Sequence, residues 1–271
     1  IFIEAILQSL EDLKVSTLVV GGDGRYGNIE AIEKIVQICI AHKVQKVIVP
    51  KYGLLSTPAT SHLIRKENAI GGIILSASHN PGGIDGDFGV KLNISNGGPA
   101  PEIITNKIFK ASQLLTSYKI CKIQLPDFSE YGTYSYGETT LEIIDGLTDY
   151  SNLMEKIFDF DQISDFLKKD FSLIFDAMNA VTGPYAKNIF VEKMGLAHDC
   201  VMNGNPLKDF GGLHPDPNLT YASHLADLLL NKKSYSFGAA CDGDGDRNMI
   251  LGSGCFVNPS DSLAVITANT K

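Results

Sequence analysis

Apolar positions in the first part of the chain switch between two spacings. Short aliphatic runs, "TLVV" (Thr17–Val20), "KVIVP" (Lys46–Pro50) and "GIIL" (Gly72–Leu75), have the length and β-branched content of buried strands. Between them apolar residues recur at three and four positions, which predicts helices over Ile29–Ala41 and Pro58–Arg65. Such alternation implies right-handed crossovers and a largely parallel sheet with helices on both faces. A polar loop follows Leu75, and "FGVKLNIS" (Phe88–Ser95) resumes as a strand so soon that a hairpin excursion on the sheet edge is expected. Asn93–Pro101 breaks the chain before a helix over Glu102–Leu115, and Ser117–Thr140 is polar and weakly periodic.

The pattern then starts again. A helix over Leu153–Lys168 precedes the strand "SLIFDA" (Ser172–Ala177), and Pro184 sits where a first-turn proline is tolerated in a helix that Gly195 would end. A strand near Cys200, a helix over Tyr221–Leu230 capped by Thr220, and a strand over Ser236–Ala240 complete a second α/β unit. Two similar units suggest duplication, with a boundary near residue 147. Both ends read as cut: the chain opens at Ile1 inside a helical pattern. It closes on a segment in which Ser260 could cap a helix whose Leu263, Val265 and Ile266 have nothing after them to pack on.

Composition narrows the function classes. With 271 residues, 44% of them hydrophobic, the chain can bury a real core and has the length of two domains. A net charge of -8 with interspersed signs offers no basic stripe, so a nucleic acid is not expected as a partner. Five cysteines without a CxxC pair suggest neither a disulfide framework nor a thiolate zinc site, and they fit a reducing compartment. No apolar run reaches the roughly 20 residues of a membrane span, and a cytoplasmic location is expected.

Three stretches could carry chemistry. "GGDGRYG" contains Gly22-x-Gly24-x-x-Gly27 between strand and helix, but the next strand ends in Pro50 and Lys51 rather than the acidic residue a dinucleotide ribose needs. A tight glycine turn presenting Arg25 is the better reading. "CDGDGDR" is more specific, because Asp242, Asp244 and Asp246 alternate with glycines between two apolar runs, so a strand-end loop gathers three carboxylates. Ionised carboxylates at that spacing repel one another without a cation, and three oxygen ligands with open positions suit magnesium shared with a phosphate. An EF-hand is excluded by Arg247 at the sixth position and Ser253 at the twelfth. Arg247 could grip two phosphate oxygens or balance the aspartates. "SASHNPGG" (Ser76–Gly83) puts two serines and a histidine between a strand and a glycine turn, either as an active loop or as a plain one. His214, in a loop rich in Gly and Pro, is read as a turn residue.

Taken together, "SASHNPGG", "GDFGVKLN" and "DGDGDR" resemble the α-D-phosphohexomutases, most closely their eukaryotic phosphoglucomutase branch. "TLVVGGDGR", "LSTPATS", "LNISNGGPAPE", "DFGGLHPDPNLTYA" and "FVNPSDSLAVITAN" extend the likeness, in order, over nearly the whole chain. The family loop usually reads Thr-Ala-Ser-His-Asn-Pro, so Ser76 matches the threonine and Ser78 the serine that carries the phosphoryl group. The resemblance implies two tandem three-layer α/β/α domains with mainly parallel mixed sheets and the site in the cleft between them. Residues 1–147 would form domain I with the phosphoserine loop, 148–258 domain II with the metal loop, and 259–271 the start of a third domain.

It further implies an isomerase that interconverts glucose 1-phosphate and glucose 6-phosphate through phospho-Ser78 and bound glucose 1,6-bisphosphate. A Mg2+ ion would be held by Ser78, Asp242, Asp244 and Asp246. Ser78 and Arg247 would contact the sugar phosphate, and His79 and Lys91 match positions lining the family's site, where either could assist proton transfer or hold the phosphate. Family members also carry an N-terminal arginine loop and two later domains with the sugar-recognising and phosphate-clamping loops; none has a counterpart in this sequence. Ser76 in place of threonine and "GGIDGD" where Pro-Asn is usual are departures. A non-catalytic paralogue acting as a structural or secretory-pathway protein, or a mutase for another hexose phosphate, are the alternatives.

Overall fold

The computed structural model describes residues 1–10 and 12–270. Their contacts divide them into two compact units, one of Ile1–Ser76 with Phe88–Gly146, the other of Ala77–Asp87 with Leu147 onward.

The first unit is built on a six-stranded sheet. Its strands are β1 (Thr17–Gly22), β2 (Lys46–Pro50), β3 (Gly71–Leu75), β4 (Val90–Ile94), β5 (Gly132–Tyr136) and β6 (Thr139–Ile144), in the order β4-β3-β1-β2-β6-β5. The four central strands run parallel, and β4 and β5 close the edges antiparallel. Leu18 and Val20 of β1 point to one face, where α1 (Phe2–Ser9) contributes Ala5, Ile6 and Leu7 and α2 (Asn28–Ala41) buries Ile32, Ile35, Val36 and Cys39 in the same core. The opposite face receives α3 (Thr57–Lys66), which buries Ala59, Leu63 and Ile64. Ser56 caps α3 by accepting from the Ala59 N–H at 3.2 Å, and Pro58 occupies the first turn, where its missing N–H costs nothing. The expected edge hairpin is β3–β4. The hairpin β5–β6 lies where only polar sequence was read. Its alternation is real, Thr139, Leu141 and Ile143 being buried, but it is interrupted by so many hydroxyls that apolarity alone does not reveal it.

The second unit holds β7 (Leu173–Asp176), β8 (Val201–Met202), β9 (Phe237–Cys241), β10 (Asn248–Gly252) and β11 (Cys255–Val257), ordered β11-β10-β9-β7-β8. The expected helix over Leu153–Lys168 is two helices, Gly146–Ile157 and Phe160–Leu167, because Asp159 starts the second by accepting from the Gln162 N–H at 2.9 Å. The helix expected from Pro184 begins at Thr182, continues with π-type bonds over Lys187–Lys193, and ends near Gly195 at φ 70°. The helix after residue 220 starts at Ser223. Thr220 is not its cap; the Asn218 side chain instead accepts from the N–H groups of Thr220 and Tyr221. At the C-terminal helix, Pro259–Ala268, the cap is likewise Asn258 rather than Ser260.

The duplication is legible in topology. The order β10-β9-β7-β8 repeats β4-β3-β1-β2, with the same parallel core and antiparallel edge. The β3–β4 connection, which contains Ser78, and the β9–β10 connection, which contains Asp242–Arg247, are therefore the same topological element in the two units.

Close packing of α3 on β3 rests on Gly72, where an added Cβ would lie 2.9 Å from both Ile64 Cδ1 and Thr60 Cγ2. Gly72→Val is expected to lower stability by about 1–3 kcal/mol through overpacking, read as a shift of the urea midpoint; an unchanged midpoint would refute the tight contact.

Candidate active site

The site starts from the end of β9. Cys241 closes the strand, and the next six residues curl so that the Asp242 N–H donates to the Arg247 carbonyl at 3.2 Å and the Gly245 N–H to the Asp242 carbonyl at 3.1 Å. Gly245 takes φ 77°, a backbone angle that glycine adopts without steric cost. Asp242 Oδ1 accepts from the N–H groups of Asp246 and Arg247, at 3.1 and 3.0 Å. One oxygen from each of Asp242, Asp244 and Asp246 lies within 4.8 Å of the others. Asp242 and Asp244 are fully buried, Asp246 is not. Burial, and then the neighbouring Asp244 charge, push the Asp242 pKa up to about 6. Two desolvated carboxylates and a third at the rim are the donor set of a hard divalent cation, so the residues present fit magnesium.

The segment Ala77–Asp87 packs with this loop's unit. Ser78 adopts φ 56°. Its hydroxyl lies 2.7 Å from Asp242 Oδ2 and 3.1 Å from Asp244 Oδ1, and Arg247 Nη2 donates to the same oxygen. Arg247 Nε reaches Asp242 Oδ2 at 3.1 Å and Asp246 Oδ1 at 3.7 Å, with the side chain about half exposed. Gly243 makes the approach possible, because a Cβ there would lie 2.3 Å from the Ser78 carbonyl oxygen. His79 follows Ser78 with its Nδ1 buried and without a hydrogen-bond partner among the described residues. The structure thus gathers Ser78, Asp242, Asp244, Asp246 and Arg247. Lys91 belongs to the first unit, half-buried on β4 opposite Ile74. His214 stacks on Tyr221 with ring centroids 4.4 Å apart.

A second polar cluster, in the first unit, was not anticipated. Arg25 is not presented to solvent: it is 1% exposed and turned back on buried Asp23, with Nη2 2.8 Å from Oδ2. Positive φ at Gly24 and Gly27 lets the turn curl this way. Ser76 donates to the same Asp23 oxygen at 2.6 Å. Burial raises the Asp23 pKa, and the bonds from Arg25 and Ser76 oppose the rise. An Asp-x-Arg spacing in a glycine turn is the only trace in the sequence, and it says nothing of Ser76, 53 residues on.

Comparison with known proteins gives a consistent picture. Residues 1–119 match alpha/beta/alpha domain I, and residues 148–253 alpha/beta/alpha domain II, of phosphoglucomutase/phosphomannomutase. The chain is 52% identical over its whole length to phosphoglucomutase of Aspergillus fumigatus, 49% of which it covers. It is also 52% identical to the chloroplastic phosphoglucomutase of Arabidopsis thaliana, covering 44% of that protein. The chain therefore spans about half the length of the curated relatives it matches. Among solved structures, the open form of the exocytosis-sensitive phosphoprotein parafusin, a phosphoglucomutase from Paramecium, superposes with a TM-score of 0.93 at 44% identity. That match covers 99% of this chain and 52% of the other.

Gly243→Ala would drive a methyl group into the Ser78 carbonyl, a backbone atom that cannot swing aside. The variant is expected to lose about 1–3 kcal/mol of stability and to bind magnesium more weakly by calorimetry. Wild-type melting and wild-type magnesium binding would together show that the two loops do not need this contact.

Proposed function

Because the chain belongs to the phosphoglucomutase/phosphomannomutase family and carries its domains I and II, we propose that it forms the phosphoryl-carrying half of a phosphoglucomutase. The observation that carries this reading is the Ser78 hydroxyl, held between the carboxylates of Asp242 and Asp244 and the guanidinium of Arg247. A serine among such groups suits an oxygen that alternately bears and releases a phosphoryl group.

Ser78 Oγ would give its phosphoryl group to the 6-hydroxyl of glucose 1-phosphate. The resulting glucose 1,6-bisphosphate would turn over in the site, return its 1-phosphoryl group to Ser78 and leave as glucose 6-phosphate. Transfer of this kind depends on in-line positioning and on stabilising charge that spreads over the moving group. Arg247, whose guanidinium already reaches Ser78 Oγ, is suited to grip two phosphate oxygens. His79 Nδ1, buried and unpartnered, can hold the serine phosphate or move a proton at the sugar hydroxyl. Lys91 is assigned the same kind of role by its match to the family pattern alone. Asp242, Asp244 and Asp246, with an oxygen on Ser78, would hold a magnesium ion, which when bound supplies the Lewis-acid charge that offsets the phosphoryl oxygens.

Glucose is favoured over other hexoses by the relatives, which are phosphoglucomutases at about half identity along the whole chain. The likeness to parafusin supports a second reading, a phosphoprotein of the secretory pathway. The intact serine, aspartates and arginine favour the enzyme. No helix among the described residues is long and apolar enough to cross a membrane, and all five cysteines are free thiols, which fits the cytoplasm.

After incubation with glucose 1,6-bisphosphate, mass spectrometry of the protein is expected to find one phosphoryl group, on Ser78. Asp244→Asn should reduce that labelling and magnesium affinity together while circular dichroism stays native. Label on Ser76, label on neither serine, or undiminished magnesium binding in the variant would each overturn the assignment it tests.

A further inference from the structure

Each unit places an aspartate at the end of its first strand and folds it into the same turn. In the first unit the Arg25 N–H donates to Asp23 Oδ1 at 3.2 Å; in the second the Met178 N–H donates to Asp176 Oδ1 at 2.8 Å. The remaining oxygen is treated differently. Asp23 Oδ2 receives Arg25 Nε and Nη2, at 3.0 and 2.8 Å, and the Ser76 hydroxyl. In the second unit methionine stands at the position of Arg25, and Ala240, the cross-strand partner of Asp176, stands at that of Ser76. Asn203 Nδ2 adds a second bond to Asp176 Oδ1 at 2.9 Å, so Oδ2 has no partner among the described residues. Asp176 is 4% exposed, and burial raises its pKa.

Where the first unit has a guanidinium, the second has a cavity. It encloses about 250 Å³ and is lined by Asp176, Met178, Asn203, Thr220, Tyr221 and His224 among others, with no residue from 77–87 or from the Asp242–Arg247 loop. Its position follows from the topology. Phe175 packs its ring on Phe190 of the helix that follows β7, at 5.8 Å, whereas Ile174 packs with Leu225 and Leu229 of the helix that follows β8. Neighbouring residues of a strand face opposite ways, so those helices cover opposite faces of the sheet. The cavity opens beyond the carboxyl ends of β7 and β8, the end of the sheet at which open α/β folds bind ligands. Met178, Asn179 and Asn203, which turn the chain there, all have positive φ, at 51°, 53° and 49°.

We propose that this cavity binds a small guanidinium-type cation, taken up by Asp176 as Arg25 is taken up by Asp23. Of the groups on the wall, the Asp176 carboxylate can only accept when ionised, which favours a cation over an anion, and Tyr221, whose ring stacks on His214, adds an aromatic residue. His224, on the same wall, is the ionisable side chain whose charge acts on Asp176. The site lies apart from the residues assigned to phosphoryl transfer and does not depend on that assignment.

The test is an NMR titration of the amide-labelled chain with methylguanidinium, beside methylurea as the neutral isostere. Saturable shifts are expected at Met178, Asn203 and His224 with methylguanidinium only, weakened at least about tenfold in Asp176→Asn, because a charge-assisted bond becomes a neutral one. Met178→Arg should fill the cavity from within, abolishing the response and raising the melting temperature. No saturable shift in the wild type, an equal response to methylurea, or undiminished binding in Asp176→Asn would overturn the proposal. If Asp176→Asn does not fold, the comparison of the two probes on the wild type decides alone.

Discussion

Three carboxylates within 4.8 Å of one another, two of them fully buried, set the terms for the second unit. Left uncompensated, such a cluster disfavours its own ionised form, and the Asp242 pKa of about 6 records that pressure. The chain answers it locally. Two backbone N–H groups and Arg247 Nε converge on Asp242, and the Ser78 hydroxyl is drawn against both buried aspartates. The glycines between the aspartates serve the same end, because Gly243 leaves room for the Ser78 carbonyl and Gly245 takes the φ that closes the curl. A loop built this way concentrates negative charge beside Ser78.

The repeated sheet explains why these loops meet chemistry at all. The same strand order and connections give each sheet a loop between its third and fourth strands. The β3–β4 loop carries Ser78 and packs with the second unit, where the β9–β10 loop carries the aspartates. The loop after the first strand is also shared, and it carries an aspartate in each unit. One copy satisfies that aspartate internally with Arg25 and Ser76, and in the other the aspartate lines a cavity and is bonded by Met178 and Asn203. The shared topology therefore repeats positions rather than functions, and the residues at those positions differ in what they bind.

Much of this was legible in the sequence for identifiable reasons. The central strands are unbroken runs of Val, Ile and Leu because both faces are covered, and such runs announce themselves. The acidic loop was legible because alternating Asp and Gly has few structural explanations. What stayed hidden depends on long-range partners. The β5–β6 hairpin is stabilised by pairing with β2, not by its own composition. Arg25 looked like a presented cation until Asp23 and Ser76 were seen to enclose it. The Asn258 cap lies two residues before Ser260, and Asn218 bonds the turn at Thr220 and Tyr221 that precedes the helix starting at Ser223, since an Asn side chain reaches such N–H groups from farther back.

The choice between the two serines of the loop turns on the same long-range partners. Ser76 is 1% exposed, continues the direction of β3, and commits its hydroxyl to Asp23 within the first unit. Removing that hydroxyl from its carboxylate would leave a buried acceptor short of a donor, so it is poorly placed to take a phosphoryl group. Two residues later the chain has left the sheet, and a left-handed backbone angle at Ser78 accompanies the turn that brings its hydroxyl to Asp242 and Arg247. Strain of this kind at a non-glycine residue persists only where surrounding contacts hold it, and here those contacts are the charged groups of Asp242, Asp244 and Arg247. Local composition treats the two serines as equals; their partners separate them, Asp23 for Ser76 and Asp242, Asp244 and Arg247 for Ser78.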